Sequence, residues 1–175
     1  TRHRQRPGDR APPRHGASLT RVADRRLLFG GEDAVGPLND VHVLSANAAS
    51  WAAPGVRCQP QPGCHLPQGR EGHSATVVAG KLWVFGGYGR RGRQREALSD
   101  LWYLHLEDMT WHDAAAFVQA AELAPGRRFQ HTAAGLGSRL MLLGGLTASS
   151  KTLADMHVFD AESFTWSQPP PVGAA

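Results

Sequence analysis

Residues 70–111 read REGHSATVVAGKLWVFGGYGRRGRQREALSDLWYLHLEDMTW, and this stretch decides the fold because a shorter version of it stands on either side. In each copy an arginine precedes a Gly-Gly pair by 16 positions, and an aspartate precedes a tryptophan by 11. Self-similarity at a period of about 50 to 60 residues is typical of repeat architectures. The recurring residues are Arg14, Arg70 and Arg128; Gly30-Gly31, Gly86-Gly87 and Gly144-Gly145; Asp40, Asp100 and Asp155; and Trp51, Trp111 and Trp166.

The length of the repeat varies in only two places. The gap from the second glycine to the aspartate is 9, 13 and 10 positions, and the gap from the tryptophan to the next arginine is 19 and 17. Insertions are tolerated in surface loops far better than in strands. Each repeat therefore has two loops that vary and a rigid remainder.

The second copy predicts four short strands joined by turns. A β-prone run over residues 74–78 is followed by a turn at 79–80 and an apolar run at 82–85. A strand over residues 101–106 then leads, through a turn at 107–109, to a last strand that opens with Thr110 and Trp111. Apolar runs without alternation indicate strands covered on both faces. A four-stranded antiparallel unit of this kind is typical of one blade of a β-propeller.

Composition agrees with an all-β protein. The chain has 175 residues, 41% of them hydrophobic, with 20 glycines and 12 prolines. One short helix is expected in the variable segment at residues 114–123.

The net charge of +4 is carried almost wholly by arginine and does not by itself indicate nucleic-acid binding. No apolar run is long enough to span a bilayer or to form a signal peptide, so no membrane partner is expected. Two cysteines and no glycosylation acceptor favour an intracellular setting, cytoplasmic or nuclear.

The second copy also resembles a known repeat. Its residues Arg70-Glu71-Gly72-His73, the Trp-Val-Phe-Gly-Gly run at 83–87, Ser99-Asp100-Leu101-Trp102 and Trp111 resemble the kelch repeat. The first copy has Ala17 in place of the histidine, and the third has Gln130 in place of the glycine but keeps His131. The resemblance implies a kelch-type β-propeller with three four-stranded antiparallel blades. It divides the chain into a basic tail or linker at 1–10, repeats at about 11–66, 67–124 and 125–166, and a proline-rich lead-in to a missing repeat at 167–175.

Three blades are fewer than a closed propeller uses, since propellers have about four to eight. The chain is therefore expected to form about half of a six- or seven-bladed ring. The remaining blades would come from the same or another chain. An open arc leaves apolar blade faces at both ends, and such patches are rare on soluble monomers.

The repeat residues are expected to be structural. The glycines, Gly72 among them, allow close backbone approach and a positive φ, while the tryptophans pack one blade on the next. The aspartates are expected to accept hydrogen bonds from backbone N–H groups of the turn after the glycines. His73 and His131 are predicted to pack and to hydrogen-bond rather than to bind a ligand.

The two variable loops of each repeat lie at the same end of the propeller. With strands A to D named from the inside outward, these loops are the B–C loops and the D–A links. The second B–C loop carries Tyr88, Arg90, Arg91, Arg93 and Arg95, and guanidinium groups bind carboxylates in pairs of hydrogen bonds. We therefore expect a protein partner with an acidic segment here, although a solvated loop without a partner is an open alternative. The three repeat arginines, Arg14, Arg70 and Arg128, either are structural or face the ligand.

No catalytic residue, cofactor or metal is predicted. The leading interpretation is a non-enzymatic scaffold or adaptor that binds proteins, as the kelch resemblance implies. The alternative is a propeller domain of a larger enzyme, resembling kelch-type oxidases or iron-dependent specifier proteins.

Glu96, Asp100 and His105 are one position out of register with the iron-binding pattern, and a slip of one residue reverses a side chain in a strand. Cys58, Cys64 and His65 lack zinc-site spacing. We predict that the two cysteines are free thiols, and a disulfide between them is the second possibility.

Overall fold

A computed structural model describes residues 10–45, 50–59, 64–91, 94–119 and 121–169. Within these ranges the regular structure is β-strand, together with two short 3₁₀ turns. The strands in chain order are β1 (Ser18–Val22), β2 (Arg25–Phe29), β3 (Val41–Ser45), β4 (Ser50–Ala52), β5 (Arg57–Gln59), β6 (Arg70–Glu71), β7 (Ser74–Val78), β8 (Lys81–Phe85), β9 (Tyr88–Arg91), β10 (Gln94–Ala97), β11 (Leu101–His105), β12 (Thr110–Asp113), β13 (Thr132–Leu136), β14 (Arg139–Leu146), β15 (Thr152–Asp160) and β16 (Thr165–Ser167).

The three repeats form three blades of a partial β-propeller. Strands β1 to β4 make the first blade, β7, β8, β11 and β12 the second, and β13 to β16 the third, each with antiparallel neighbours in sequence order. The first strands of the three blades, β1, β7 and β13, contact one another in turn and are therefore innermost. The predicted four-stranded blade and its up-and-down order are confirmed.

The second blade has a fifth strand that the sequence did not predict. Strand β5, from the link between the first two repeats, pairs in parallel with the outer strand β12, and Cys58 stands opposite Trp111. The link must travel from the outer edge of one blade to the inner strand of the next. Pairing with the outer strand on the way satisfies backbone groups that would otherwise need water. Gln119 forms the same kind of parallel bridge with Thr165 beside the third blade.

The core consists of two layers between the blades. One layer packs Leu27 and Phe29 of the first blade against the second blade's Leu82, Val84 and Trp111. The other packs the opposite side of the second blade against the third, through Trp83, Phe85, Tyr103, Leu140, Leu142, Phe159 and Trp166. The continuous apolar run at 82–85 is buried on both faces, as its lack of alternation predicted.

The expected helix over residues 114–123 is wrong. The segment instead contains two 3₁₀ turns, Ala114–Ala116 and Ala121–Leu123. The Asp113 side chain accepts a hydrogen bond from the Ala115 N–H and starts the first turn. Gln119 forms a β-bridge with Thr165 and so does not continue a helix. Edge pairing thus interrupts a segment with good helix propensity. None of the helical turns in the described ranges has the length and apolar character needed to cross a membrane.

Candidate functional site

Each repeat arginine is a buried brace between the two conserved blocks of its repeat. Arg70 Nη1 donates to the carbonyl oxygen of Gly86 at 3.0 Å, and its two terminal nitrogens donate to the two carboxylate oxygens of Asp100, both at 2.7 Å. Arg128 makes the same bonds to Gly144 and Asp155, and Arg14 to Gly30 and Asp40. The fixed interval of 16 residues is therefore the distance along the chain from this guanidinium to its carbonyl acceptor.

The aspartates have different partners from those predicted. Besides the arginine, each carboxylate accepts from the ring nitrogen of the residue two positions later: His42, Trp102 or His157. The hydrogen bond from Arg128 holds the pKa of Asp155 well below its usual range, and the bond from His157 lowers it further. Burial raises the pKa of Asp100, but the bonds from Arg70 and Trp102 outweigh it and the net shift is downward. The expectation that backbone N–H groups of the turn bind these carboxylates is wrong, because the guanidinium occupies that position.

These contacts correct the idea that the repeat arginines face a ligand. The side chains of Arg70 and Arg128 are 0% and 2% exposed, and that of Arg14 is nearly as deeply buried. Their guanidinium groups are held by intramolecular acceptors on both terminal nitrogens. Of the two alternatives, the geometry supports the structural one.

The repeat histidines join one blade to the preceding blade. His73 Nε2 lies 2.9 Å from Ser18 Oγ, and His131 Nε2 lies 2.9 Å from Ser74 Oγ. Each ring also packs edge-on against an aromatic ring of that blade, His73 on Phe29 and His131 on Phe85. These are the packing and hydrogen-bonding roles that the pattern predicted. Burial lowers the pKa of His73 to about 3 and that of His131 to about 4, and the neighbouring arginine adds to both shifts.

We expect the fold to lose stability as the pH falls from about 6.5 towards 4. The unfolded chain takes up protons on these histidines near pH 6.5, whereas the folded chain does not until pH about 3 to 4. Stability therefore declines across this window, by at most about 1.4 kcal/mol per pH unit for each histidine. The aspartates do not contribute to this window, because their low pKa values make stability fall only below pH about 4. Urea unfolding at pH 7.0, 5.5 and 4.5 measures the slope, and His73→Asn should reduce it. An equal slope in that variant would contradict the assignment.

The glycine pairs allow the backbone of the next repeat to pass close beside each arginine brace. Gly87 N–H donates to the carbonyl of Arg128 in the next repeat at 2.9 Å, and Gly31 N–H donates to that of Arg70 at 2.8 Å. Both glycines of each pair have positive φ, and a Cβ at Gly86 would lie 2.7 Å from the Arg128 carbonyl oxygen. A side chain at this position would therefore both strain the backbone and displace the next repeat.

The second B–C loop is a β-hairpin rather than an open loop. Strands β9 and β10 pair so that Arg95 stands opposite Arg90, and β9 also pairs with the short strand β6. The tip of the hairpin, residues 92–93, lies outside the described residues. Together with the first B–C loop, residues 32–38, the hairpin forms the elaborated end of the arc. The other end carries the short turns at 23–24, 79–80, 106–109, 137–138 and 161–164, and the links between repeats also reach it, where Arg57 N–H donates to Met109 and Gln119 N–H to Phe164.

The structure does not place the predicted arginines in one cluster. Arg95 Nη2 donates to Glu32 at 2.5 Å and to Glu71 at 2.8 Å, and its guanidinium lies over the Tyr88 ring at 5.0 Å. Arg95 thus ties the hairpin to the first blade. Arg90 is exposed and has no ion pair within the described part of the chain. The side chain of Arg91 and the whole of Arg93 lie outside the described residues.

Arg90 forms one wall of a groove between the first two blades. The groove has a volume of about 590 Å³, and its opposite wall is the first B–C loop with Val35, Pro37 and Leu38. Val35 is 88% exposed. Asp33, also in the wall, turns its carboxylate towards the N–H groups of Val35 and Gly36 and so does not pair with Arg90. The groove therefore offers an apolar wall and one unpaired cation.

The three candidate iron ligands, Glu96, Asp100 and His105, do not come together in the structure. Glu96 accepts from Arg127 and Asp100 from Arg70, whereas His105 lies at the far end of β11 opposite Lys81. Asp100 and His105 are five positions apart along extended chain, about 16 Å, so these three side chains cannot converge. Cys58 and Cys64 form a disulfide, which corrects the preference for free thiols.

One group of potential metal ligands does come together at the elaborated end. His15, Glu32 and Glu71 have ligand atoms within 4.8 Å of one another. Arg95 already donates to both carboxylates, and His15 Nδ1 lies 3.0 Å from Glu71. Burial raises the pKa of Glu71, and the adjacent Glu32 carboxylate raises it further. The group is therefore an ion-pair cluster that closes the joint between the first two blades.

Blades of this order, each braced by an arginine that binds an aspartate and the glycine carbonyl 16 residues later, define a kelch-type propeller. The chain belongs to the kelch-repeat family: the family model for the KLHDC2/KLHL20/DRC7 Kelch-repeats domain matches residues 1–175. Similar proteins include the Rab9 effector protein with kelch motifs of Mus musculus, 30% identical over 93% of this chain and 42% of that protein. Adagio-like protein 3 of Oryza sativa subsp. japonica is 33% identical over 91% of this chain and 24% of its own length. Kelch domain-containing protein 1 of Mus musculus is 30% identical over 74% and 29%. The chain thus spans less than half the length of these relatives.

Proposed function

We propose that this chain is a non-enzymatic protein-interaction module that binds its partner at the elaborated end. Support for the class of function comes from the kelch family and from a relative whose name describes it as an effector of Rab9. Only the general class, binding to another protein, is carried over from that name. The braces, histidines and tryptophans of the repeat are all engaged in holding the blades together, which leaves the loops for recognition.

The observation that carries the proposal is the position of the groove. It lies where both kinds of length-variable segment meet: the first B–C loop, the hairpin, and the link residue Gly69. Recognition surfaces are commonly built from loops of variable length on a rigid scaffold.

The charge of the groove favours a partner with an acidic segment. Arg90 is exposed beside the apolar side chains of Val35 and Leu38, so a carboxylate next to an aliphatic residue would contact both. Arg91 and Arg93 follow closely in the sequence and carry two further positive charges. Arg95 is excluded from direct recognition in this proposal, because Glu32 and Glu71 already bind it. Complementary charge mainly sets the association rate and the choice of partner, so binding should weaken as salt rises.

We expect the triple variant Arg90→Ser/Arg91→Ser/Arg93→Ser to lose the partners that the parent chain retains in a quantitative pull-down. The control variant Arg21→Ser/Arg25→Ser/Arg139→Ser has the same change in net charge, but its substitutions lie at the opposite end of the blades. Partners should remain bound to this control and should elute from it at the same salt concentration as from the parent. Equal retention by both variants would show that the hairpin is only a solvated turn.

The cytoplasmic or nuclear setting stays a prediction. The Cys58–Cys64 disulfide is an observation against it, because disulfides persist mainly in oxidising compartments. Of the residues considered for iron or zinc binding, Glu96 and Asp100 are held in ion pairs and Cys58 and Cys64 in the disulfide, which supports the non-enzymatic alternative over the enzyme-domain one.

A further inference from the structure

The chain's two cysteines are joined across a short segment of the link between the first two repeats. Cys58 lies in β5, Cys64 lies six positions later, and a disulfide bridges their sulfur atoms. Both residues are partly exposed. The bridge therefore closes a small loop at the surface, and one end of that loop is the strand on the outer edge of the second blade.

Strand β5 has few contacts of its own with the second blade. It pairs in parallel with β12 over residues 57–59, and the N–H of Arg57 donates to the carbonyl of Met109 at 3.1 Å. Parallel pairing is slightly less stable per residue than antiparallel pairing. Val56 and Cys58 are only partly buried against the core layer that contains Trp111. A strand this short needs support beyond its hydrogen bonds.

The link between the second and third repeats provides a comparison, because it contains no cysteine. There the N–H of Gln119 donates to the carbonyl of Phe164 at 2.8 Å, just as Arg57 donates to Met109. Met109 and Phe164 are equivalent turn residues, and both have a positive φ. Among the described residues of this link, parallel pairing is limited to the single bridge between Gln119 and Thr165. The comparison indicates that the disulfide supports the longer pairing of β5.

A cavity beside the disulfide gives small molecules access to it. The cavity has a volume of about 390 Å³ and is lined by Val56, Arg57, Cys58, Gln59 and Leu66. Arg57 is exposed and forms no ion pair with the described residues. A cation near a cysteine stabilises the thiolate, and a thiolate is the leaving group when a disulfide is cleaved. The cavity thus combines access to a sulfur atom with a charge that favours thiol–disulfide exchange.

We propose that the Cys58–Cys64 disulfide exchanges reversibly with a dithiol reductant, and that its redox state decides whether β5 stays on the edge of the second blade. One thiolate of the reductant attacks a sulfur of the disulfide, so that the S–S bond breaks, a mixed disulfide forms and the other cysteine leaves as a thiolate. The second thiolate of the reductant then displaces the remaining cysteine. The protein gains two electrons and two protons as two thiols, and the reductant is oxidised to a disulfide.

Reduction acts on the edge of the blade and not on its core. Beyond Cys64 the link is held by other contacts: Leu66 packs against the first core layer, and the carbonyl of Pro67 accepts from Asn39 Nδ2 at 3.0 Å. Release of β5 therefore stops at these residues, and the outer edge of β12 loses its partner strand while the four strands of the blade stay paired. The proposal concerns a different surface from the elaborated end and does not depend on the partner bound there.

The test measures hydrogen exchange of the whole chain by NMR with and without dithiothreitol, while mass spectrometry after iodoacetamide treatment counts the free thiols. We expect the Arg57 amide to exchange about tenfold or more faster in the reduced protein, because the crosslink no longer limits opening of the loop. The Gln119 amide makes the equivalent bond in a link without cysteines, so its exchange rate should not change. Oxidised glutathione should restore slow exchange at Arg57. The variant Cys58→Ser/Cys64→Ser should show the fast rate with or without the dithiol.

Three outcomes would overturn the proposal. A disulfide that dithiothreitol does not cleave until the blades unfold would be a static crosslink and not an exchange site. Unchanged exchange at Arg57 in the fully reduced protein would show that β5 stays in place without the bridge. Finally, faster exchange at Gln119 and at the core amide of Leu104, to the same extent as at Arg57, would show that the disulfide stabilises the whole fold and does not control β5 alone.

Discussion

Trp111→Ala is expected to lower the free energy of unfolding by about 3 to 5 kcal/mol, the usual range for truncating a buried aromatic residue. The indole is fully buried in the layer between the first two blades, and its ring centre lies 5.0 Å from that of Phe29. Its Nε1 has no hydrogen-bond partner in the described structure, so the loss comes from apolar packing and the cavity left behind. Chemical denaturation monitored by circular dichroism measures the change.

The matched control is Trp51→Ala. Trp51 holds the same position in the first blade, but among the described residues no preceding blade covers it, and it is only half-buried. The same substitution should therefore cost clearly less there. Equal losses at the two tryptophans would contradict the packing role assigned to Trp111, as would a midpoint for the Trp111 variant within error of the parent.

Asp100→Ala is expected to cost a similar amount, about 3 to 5 kcal/mol, because it leaves the buried charge of Arg70 without its carboxylate. Arg70 would keep only its carbonyl acceptors, Gly86 and Gln68. The link between the two conserved blocks of the second repeat would then be weakened on both sides of the glycine pair. Thermal unfolding should show a large fall in melting temperature.

The control for this prediction is a surface ion pair between the hairpin of the second repeat and the third repeat. Glu96 accepts from Arg127, whose side chain is largely exposed, and exposed pairs contribute only about 0.2 to 1 kcal/mol. Glu96→Ala should therefore leave the melting temperature nearly unchanged. If Asp100→Ala were as mild as Glu96→Ala, the arginine would not be the brace of the repeat.

The blades could be predicted from the sequence because each is a local structure. Neighbouring strands are joined by short turns, so the run at 74–78 and the run at 82–85 predict their own pairing. The fixed interval from Arg70 to Gly86 was also visible in the sequence. The hydrogen bond between them could not be predicted, because Arg70 donates to a backbone carbonyl and any residue type supplies one. The partner Asp100 was harder to identify, since the interval from arginine to aspartate is 26, 30 and 27 residues in the three repeats.

Polar and backbone contacts between repeats were the part that the sequence did not predict. Arg95 binds Glu32 across 63 residues, and nothing in the basic run around it distinguishes it from Arg90. The pairing of β5 with β12 involves three residues and joins segments about fifty positions apart. Two signals could have been found: the hydroxyl that follows each histidine position, at Ser18, Ser74 and Thr132, and the ring residue two positions after each aspartate. Both are visible only once the repeats are aligned with one another.

An NMR titration of the ¹⁵N-labelled chain tests whether the elaborated end binds the partner while the repeat residues only hold the blades together. The titrant is a partner that the pull-down shows to depend on the hairpin arginines. We expect chemical-shift changes concentrated in residues 32–38 and 88–97, with the short turns at 79–80 and 137–138 unchanged. Shifts centred on those turns, with the groove beside Arg90 unaffected, would contradict it.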